Sequence, residues 1–100
     1  KAIDICYYGG AYGKTIVAAH SGVVTYAGWK PSYGYVVFIQ SGSVTTVYGH
    51  CSKLAVSTGQ TVSQGQYIAN IGNTGYSFGA HVHFEVRING THVNPALYLP

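Results

Sequence analysis

Apolar and β-branched residues recur along this chain in short runs separated by glycine-bearing turns. Residues 15–19 (TIVAA), 22–29 (GVVTYAGW), 33–40 (YGYVVFIQ), 43–50 (SVTTVYGH), 66–72 (QYIANIG) and 81–88 (HVHFEVRI) each read as a strand. The breaks HSG, KPS, SGS, NTGYSFG and NGTH have the composition of turns. In the 81–88 run the alternation is strict. His81, His83 and Glu85 fall on one face, and Val82, Phe84 and Val86 on the other. The Asn-Gly of INGT (88–91) predicts a tight hairpin that folds this strand back on the tail. Within 56–75, TGQTV is echoed by QGQYI, which spells two successive turn–strand units of the kind found at the corners of barrels and sandwiches. No window carries helical periodicity, and the one helical candidate is a turn around 94–98, after Pro95. The expected fold is all-β, built of compact antiparallel sheets in a barrel-sandwich arrangement with little or no helix.

The chain has 100 residues, enough for one domain spanning 1–100 with a single modest core. Only 7% of residues are charged, against the usual quarter, so solubility rests on Ser, Thr, Asn, Gln, Gly and ten tyrosines. Asp4 and Glu85 are the sole carboxylate side chains, and the net charge of +3 reflects missing acids rather than abundant base. Lys1, Lys14, Lys30, Lys53 and Arg87 are scattered, with no run able to track a phosphate backbone, which argues against nucleic acid as a partner. The excess of base gives at most a mild attraction to an anionic surface such as a bacterial wall. No stretch approaches the roughly eighteen apolar residues of a membrane span, so no membrane insertion is expected. A start at Lys rather than Met, without a signal peptide, leads us to expect a processed product or a domain excised from a longer chain.

Cys6 and Cys51 lack CxxC spacing, leaving either one disulfide or two buried thiols. The low charge and the wealth of Tyr and Ser suggest an extracellular life and favour the disulfide, worth roughly 4 kcal/mol in the chain-entropy account. A lysine at a hairpin tip, as biotinyl and lipoyl carriers need, is missing between Lys53 and Arg87, which disfavours a carrier role.

Two acids leave only Asp4 and Glu85 as a glycosidase pair. There is no HExxH helix and no nucleophile elbow. What remains in quantity is histidine, five in the chain. His81 and His83 stand roughly 7 Å apart on one strand face. With a distant aspartate they make a plausible zinc shell, and equally a pair of solvent-facing histidines with no metal.

AIDI (2–5), VVTYAGW (23–29), TTVYGH (45–50) and the long segment 59–99, with its GNTGYSFGAHVHFE block, resemble in order the motif series of lysostaphin- and LytM-type peptidoglycan endopeptidases, zinc enzymes of the Peptidase_M23 family. The resemblance spans nearly the whole chain. It implies antiparallel sheets framing a narrow groove with Zn2+ on its floor. Carried over residue by residue, it places metal ligands at Asp4 and His83 and catalytic histidines at His50 and His81. The family's third ligand falls one position before Lys1. Between Cys6, two residues past Asp4, and Cys51, next to His50, a bond would tie the metal-bearing strand to the catalytic one. Trp29, Tyr33 and Tyr35 fall where the family builds a groove wall, and Tyr76 lies in the loop before the histidines. All four are expected to contact substrate or, in the plainer reading, to pack as sheet residues. His20 and His92 read as turn and rim residues. Glu85 reads as a structural partner of Arg87 or a backbone N–H, ahead of a hydrogen bond to a catalytic group.

The expected function is zinc-dependent hydrolysis of peptide bonds in bacterial peptidoglycan, in an extracellular, wall-associated or phage-virion setting. The competing reading is a non-catalytic member that binds cell wall or a protein partner. A histidine phosphocarrier of related topology is disfavoured by the full endopeptidase motif series.

Overall fold

A computed structural model of the chain describes residues 2–5, 14–72 and 82–93. Within these lie β1 (Ala2–Ile5), β2 (Thr15–Val17), β3 (Gly22–Lys30), β4 (Gly34–Ser41), β5 (Val44–Leu54), β6 (Thr61–Val62), β7 (Tyr67–Ile71), β8 (Val82–Ile88) and β9 (Thr91–Val93), and no helix among the described residues. All pairings are antiparallel. The main sheet runs β1-β8-β5-β4-β3-β6, with β9 added to β8 and with β7 bridging β5 and β2. This is the all-β, antiparallel architecture expected from the alternation.

Turn chemistry explains the connections. Asn89 (φ 53°) and Gly90 (φ 78°) both take the left-handed conformation that a two-residue β8–β9 hairpin requires. The echoed segment resolves into two copies of one turn. In Ser57–Gln60 and in Ser63–Gln66 the last residue's N–H donates to the first residue's carbonyl, at 3.1 and 3.0 Å. The glutamine side-chain oxygen then accepts from the serine N–H, at 3.2 and 3.0 Å. A glycine of positive φ, Gly59 or Gly65, occupies the third position of each, as a type II turn demands.

Phe84 and Val86 point from β8 into a core shared with Val37 and Ile39 of β4, Tyr48 of β5 and Ile68 of β7. Each is buried. The apolar face of β8 is thus the one the alternation assigned. His20, expected at a turn, is half-buried: its Nε2 lies 2.9 Å from Thr46 Oγ1 and its Nδ1 2.9 Å from the Ser21 carbonyl. The predicted helical turn at 94–98 and His92's side chain lie outside the described residues.

Candidate metal and catalytic site

β8 is flanked by β1 and β5, and the register sets His83 opposite Asp4 on one side and opposite Gly49 on the other. His50 reaches the same place through an irregularity. Tyr35 pairs with Cys51 and Val37 with Tyr48, so Gly49 and His50 together oppose the single residue Val36. Such a bulge re-aims a side chain that regular pleating would send elsewhere. His50 adopts φ 60° to make it. Its N–H donates to the Tyr33 carbonyl at 2.7 Å, and its own carbonyl accepts from the Gly72 N–H at 3.0 Å. Two backbone bonds therefore hold a conformation that L-residues rarely take. The imidazoles of His50 and His83 end 5.5 Å apart, edge to face at 81°.

Glycine at position 49 follows from this crowding. A Cβ there would stand 3.1 Å from Tyr33 Cδ1 and 3.3 Å from His83 Cβ, tighter than side chains normally pack. At Gly72, just past the end of β7, a Cβ would meet the Ser52 backbone nitrogen at 2.4 Å, so the chain approaches β5 there only because it carries no side chain.

Beside the histidines lies a partly buried polar cluster centred on the buried Glu85. Tyr33 Oη donates to Glu85 Oε2 at 2.5 Å and accepts from Arg87 Nη2 at 2.9 Å. Glu85 Oε2 also stands 3.5 Å from Arg87 Nη2 and 3.6 Å from His83 Nε2, within ion-pair range, and a hydrogen bond from the His83 ring is among the interactions that hold the carboxylate ionised. The Glu85 side chain is 4% exposed, that of His83 25%. Burial by itself would raise the Glu85 carboxyl. His83, the Tyr33 hydroxyl and the Arg87 charge outweigh it and bring the carboxyl down to about 2. Tyr33's phenol is pushed up, first by burial and then by Glu85. Its ring meets His83 edge-on at 5.6 Å and Phe38 at 6.0 Å, and the Arg87 guanidinium covers Phe38 at 5.4 Å.

Of the residues the sequence nominated, His50, His83 and the backbone of Asp4 converge. His81, Tyr76 and Cys6 lie outside the described residues. Trp29 and Tyr35 form an edge-to-face pair at 5.2 Å, 54% and 42% exposed, available as a surface for a ligand. Tyr33 differs from them: its hydroxyl turns inward to Glu85. Glu85 is the functional candidate that pattern reading undervalued. Its only signal was its place on the His81–His83 face of a strand. Cys51 is buried with Sγ 3.4 Å from the Tyr48 carbonyl, and burial pushes its thiol up to about 12.

Among the described residues no three His, Cys, Asp or Glu side chains form a metal shell. The donor types nonetheless suit zinc: an imidazole on His83, with a carboxylate residue as its direct cross-strand partner. A carboxylate beside an imidazole, as Glu85 is beside His83, is a common companion of imidazoles that bind metal.

Comparison with known proteins places this geometry in context. The description "Peptidase family M23" matches residues 1–95. The DD-carboxypeptidase/endopeptidase Mpg of Neisseria meningitidis serogroup B is 40% identical over 89 residues, covering 88% of this chain and 20% of that protein. The murein hydrolase activator NlpD of Salmonella typhimurium is 40% identical over 102 residues, covering all of this chain and 26% of that protein. Among solved structures, the antimicrobial peptidase lysostaphin from Staphylococcus simulans superposes with a TM-score of 0.83 at 32% identity, over 88% of this chain and 40% of that one. A zinc-containing peptidase from Vibrio cholerae gives 0.79 at 35% identity, over 82% and 26%. The chain thus spans about a fifth to a quarter of the length of these curated relatives.

Proposed function

The chain belongs to peptidase family M23, and from that premise we propose that it is a zinc-dependent endopeptidase that hydrolyses peptide bonds of bacterial peptidoglycan, in the stem peptide or the cross-bridge. The observation that carries the reading is the row across three strands in which His83 faces Asp4, with the His50 ring 5.5 Å from that of His83. The register makes Asp4 the direct cross-strand neighbour of His83, which supports a carboxylate and an imidazole shared by one ion. Asp4 and His83 would hold it, with a third ligand at the residue immediately before Lys1. When bound, zinc supplies Lewis-acid polarisation of the scissile carbonyl and acidification of water. His50 and His81, with no carboxylate assigned as base, would orient the attacking water and take its proton. The resulting imidazolium stabilises the tetrahedral oxyanion or protonates the leaving amine. Trp29, Tyr35 and Tyr76 supply aromatic surface for an extended peptide. The setting that follows is extracellular or envelope-facing, at the cell wall or on a phage virion, where a Cys6–Cys51 disulfide persists.

Zinc content and clearing of purified peptidoglycan, with and without chelator, test this. His83→Ala should lose both zinc and turnover. His81→Ala should keep zinc and lose turnover by about 10²–10⁴-fold. Full activity in His81→Ala refutes the assignment of that residue. The second reading is a non-catalytic module that engages cell wall or a partner protein, favoured by the relative named as a murein hydrolase activator, which aligns over the whole chain. A residue other than histidine encoded before Lys1, together with zinc-free purified protein, selects it.

A further inference from the structure

Tyr33 was nominated as a wall of the substrate groove, but its geometry gives its hydroxyl other work. A phenol has one proton to donate, and Tyr33 spends it on Glu85 Oε2 while accepting from Arg87 Nη2. The same carboxylate oxygen faces His83 Nε2 at 3.6 Å. The ring of Tyr33 abuts His83 at 5.6 Å, and its carbonyl accepts from the His50 N–H at 2.7 Å. One residue, drawn from the turn before β4, therefore touches the supports of both histidines.

We infer that Tyr33 is a positioning residue: with Arg87 it clamps the Glu85 carboxylate beside His83 Nε2, which fixes the proton on that nitrogen and the orientation of the ring. Holding Nε2–H leaves Nδ1 its lone pair, so the clamp selects one tautomer of His83 before any metal arrives. Glu85 is suited to the task because Tyr33 and Arg87 both engage the same Oε2 that faces His83. The short phenol bond removes the rotational freedom that a lone carboxylate would keep. The inference rests on the zinc-peptidase reading for its consequence, while the tautomer itself is a property of the metal-free protein.

The decisive variant is Tyr33→Phe, which removes one oxygen and keeps the ring contacts with His83 and Phe38. Three readouts apply: zinc affinity by chelator competition, the ring-nitrogen NMR spectrum of His83 in metal-free protein, and kcat and KM on a peptidoglycan-derived peptide. Zinc affinity should fall about tenfold, at the low end of such supporting residues, with kcat reduced and KM unchanged. The metal-free spectrum should show His83 leaving the Nε2–H form. Glu85→Gln should shift the same signal, and adding Tyr33→Phe to Glu85→Gln should cost nothing further, because Tyr33 acts through Glu85. Tyr67→Phe, which removes the phenol hydroxyl bound to Asn70, should move none of these. A Tyr33→Phe protein with unchanged zinc affinity and tautomer but raised KM overturns the inference and restores Tyr33 as a substrate contact. If the unmutated protein takes up no zinc, the peptidase reading fails separately. The ring-nitrogen spectrum still decides the clamp, a shift upholding it and no shift overturning it.

Discussion

Each face of β8 holds fully buried side chains, by opposite means. Val86 is 0% exposed and Phe84 3%, and so is Glu85 at 3%, on the other side of the same strand. On the apolar face burial is its own driving force and needs no particular partner. On the polar face each buried group must be matched, because an unpaired carboxylate away from water costs several kcal/mol. Glu85 is matched by a tyrosine and an arginine that approach with fixed geometry. The polar face is held by directional partners, and this makes it a place where a histidine can be held in one orientation.

Phe84→Ala strikes the apolar face and should cost about 3–5 kcal/mol of stability, read from urea unfolding, while the molecules that stay folded keep their zinc affinity. A loss of zinc affinity in that variant would show that the faces are not independent. The same contrast recurs on β5, where His50 lies against His83 and its neighbour Cys51 is sealed in the core. With its thiol pushed up from 9.0 to about 12 by burial, reduced Cys51 should carry about a thousandfold less thiolate at pH 8 than in the unfolded chain, and alkylate correspondingly slowly. Because its folded-state value is raised, the thiol's contribution to stability is complete below pH 9 and is lost as pH climbs towards 12. Next in size is Gly49→Ala, which pushes a methyl against Tyr33 and His83. It should destabilise by about 1–3 kcal/mol and weaken zinc binding as well, coupling the two measurements that Phe84→Ala keeps apart. Least is Trp29→Ala. As an exposed residue it should shift stability by no more than about 0.5 kcal/mol, yet raise KM if the Trp29–Tyr35 pair receives the peptide.

Strands longer than five residues were legible because period-two alternation accumulates over their length: β3, β4 and β8 fall within a residue of where the pattern set them, while β5 runs past the expected end at His50 to Leu54. β1 and β6, of four and two residues, are too short to carry a periodic signal and exist through their pairing with β8 and β3. The S-x-G-Q turns were readable because everything that makes them lies within four residues. Tyr33 and Glu85 are 52 positions apart, so their bond left no local trace, and the tyrosine was read as a groove wall. His50 was nominated by its motif alone. Nothing in the sequence announces that a histidine would take φ 60°, since the bulge that requires it arises from how β4 meets β5.

That backbone angle bears on how an inert copy of the domain should be engineered. Alanine at position 50 removes the imidazole but keeps a Cβ in the left-handed region, at a cost of about 1–2 kcal/mol, and a β-branched residue fares worse. Asparagine enters that region readily through local hydrogen bonding, and glycine without steric penalty. To test the proposed peptidase role with a folded protein lacking the imidazole, His50→Asn or His50→Gly is therefore the substitution of choice.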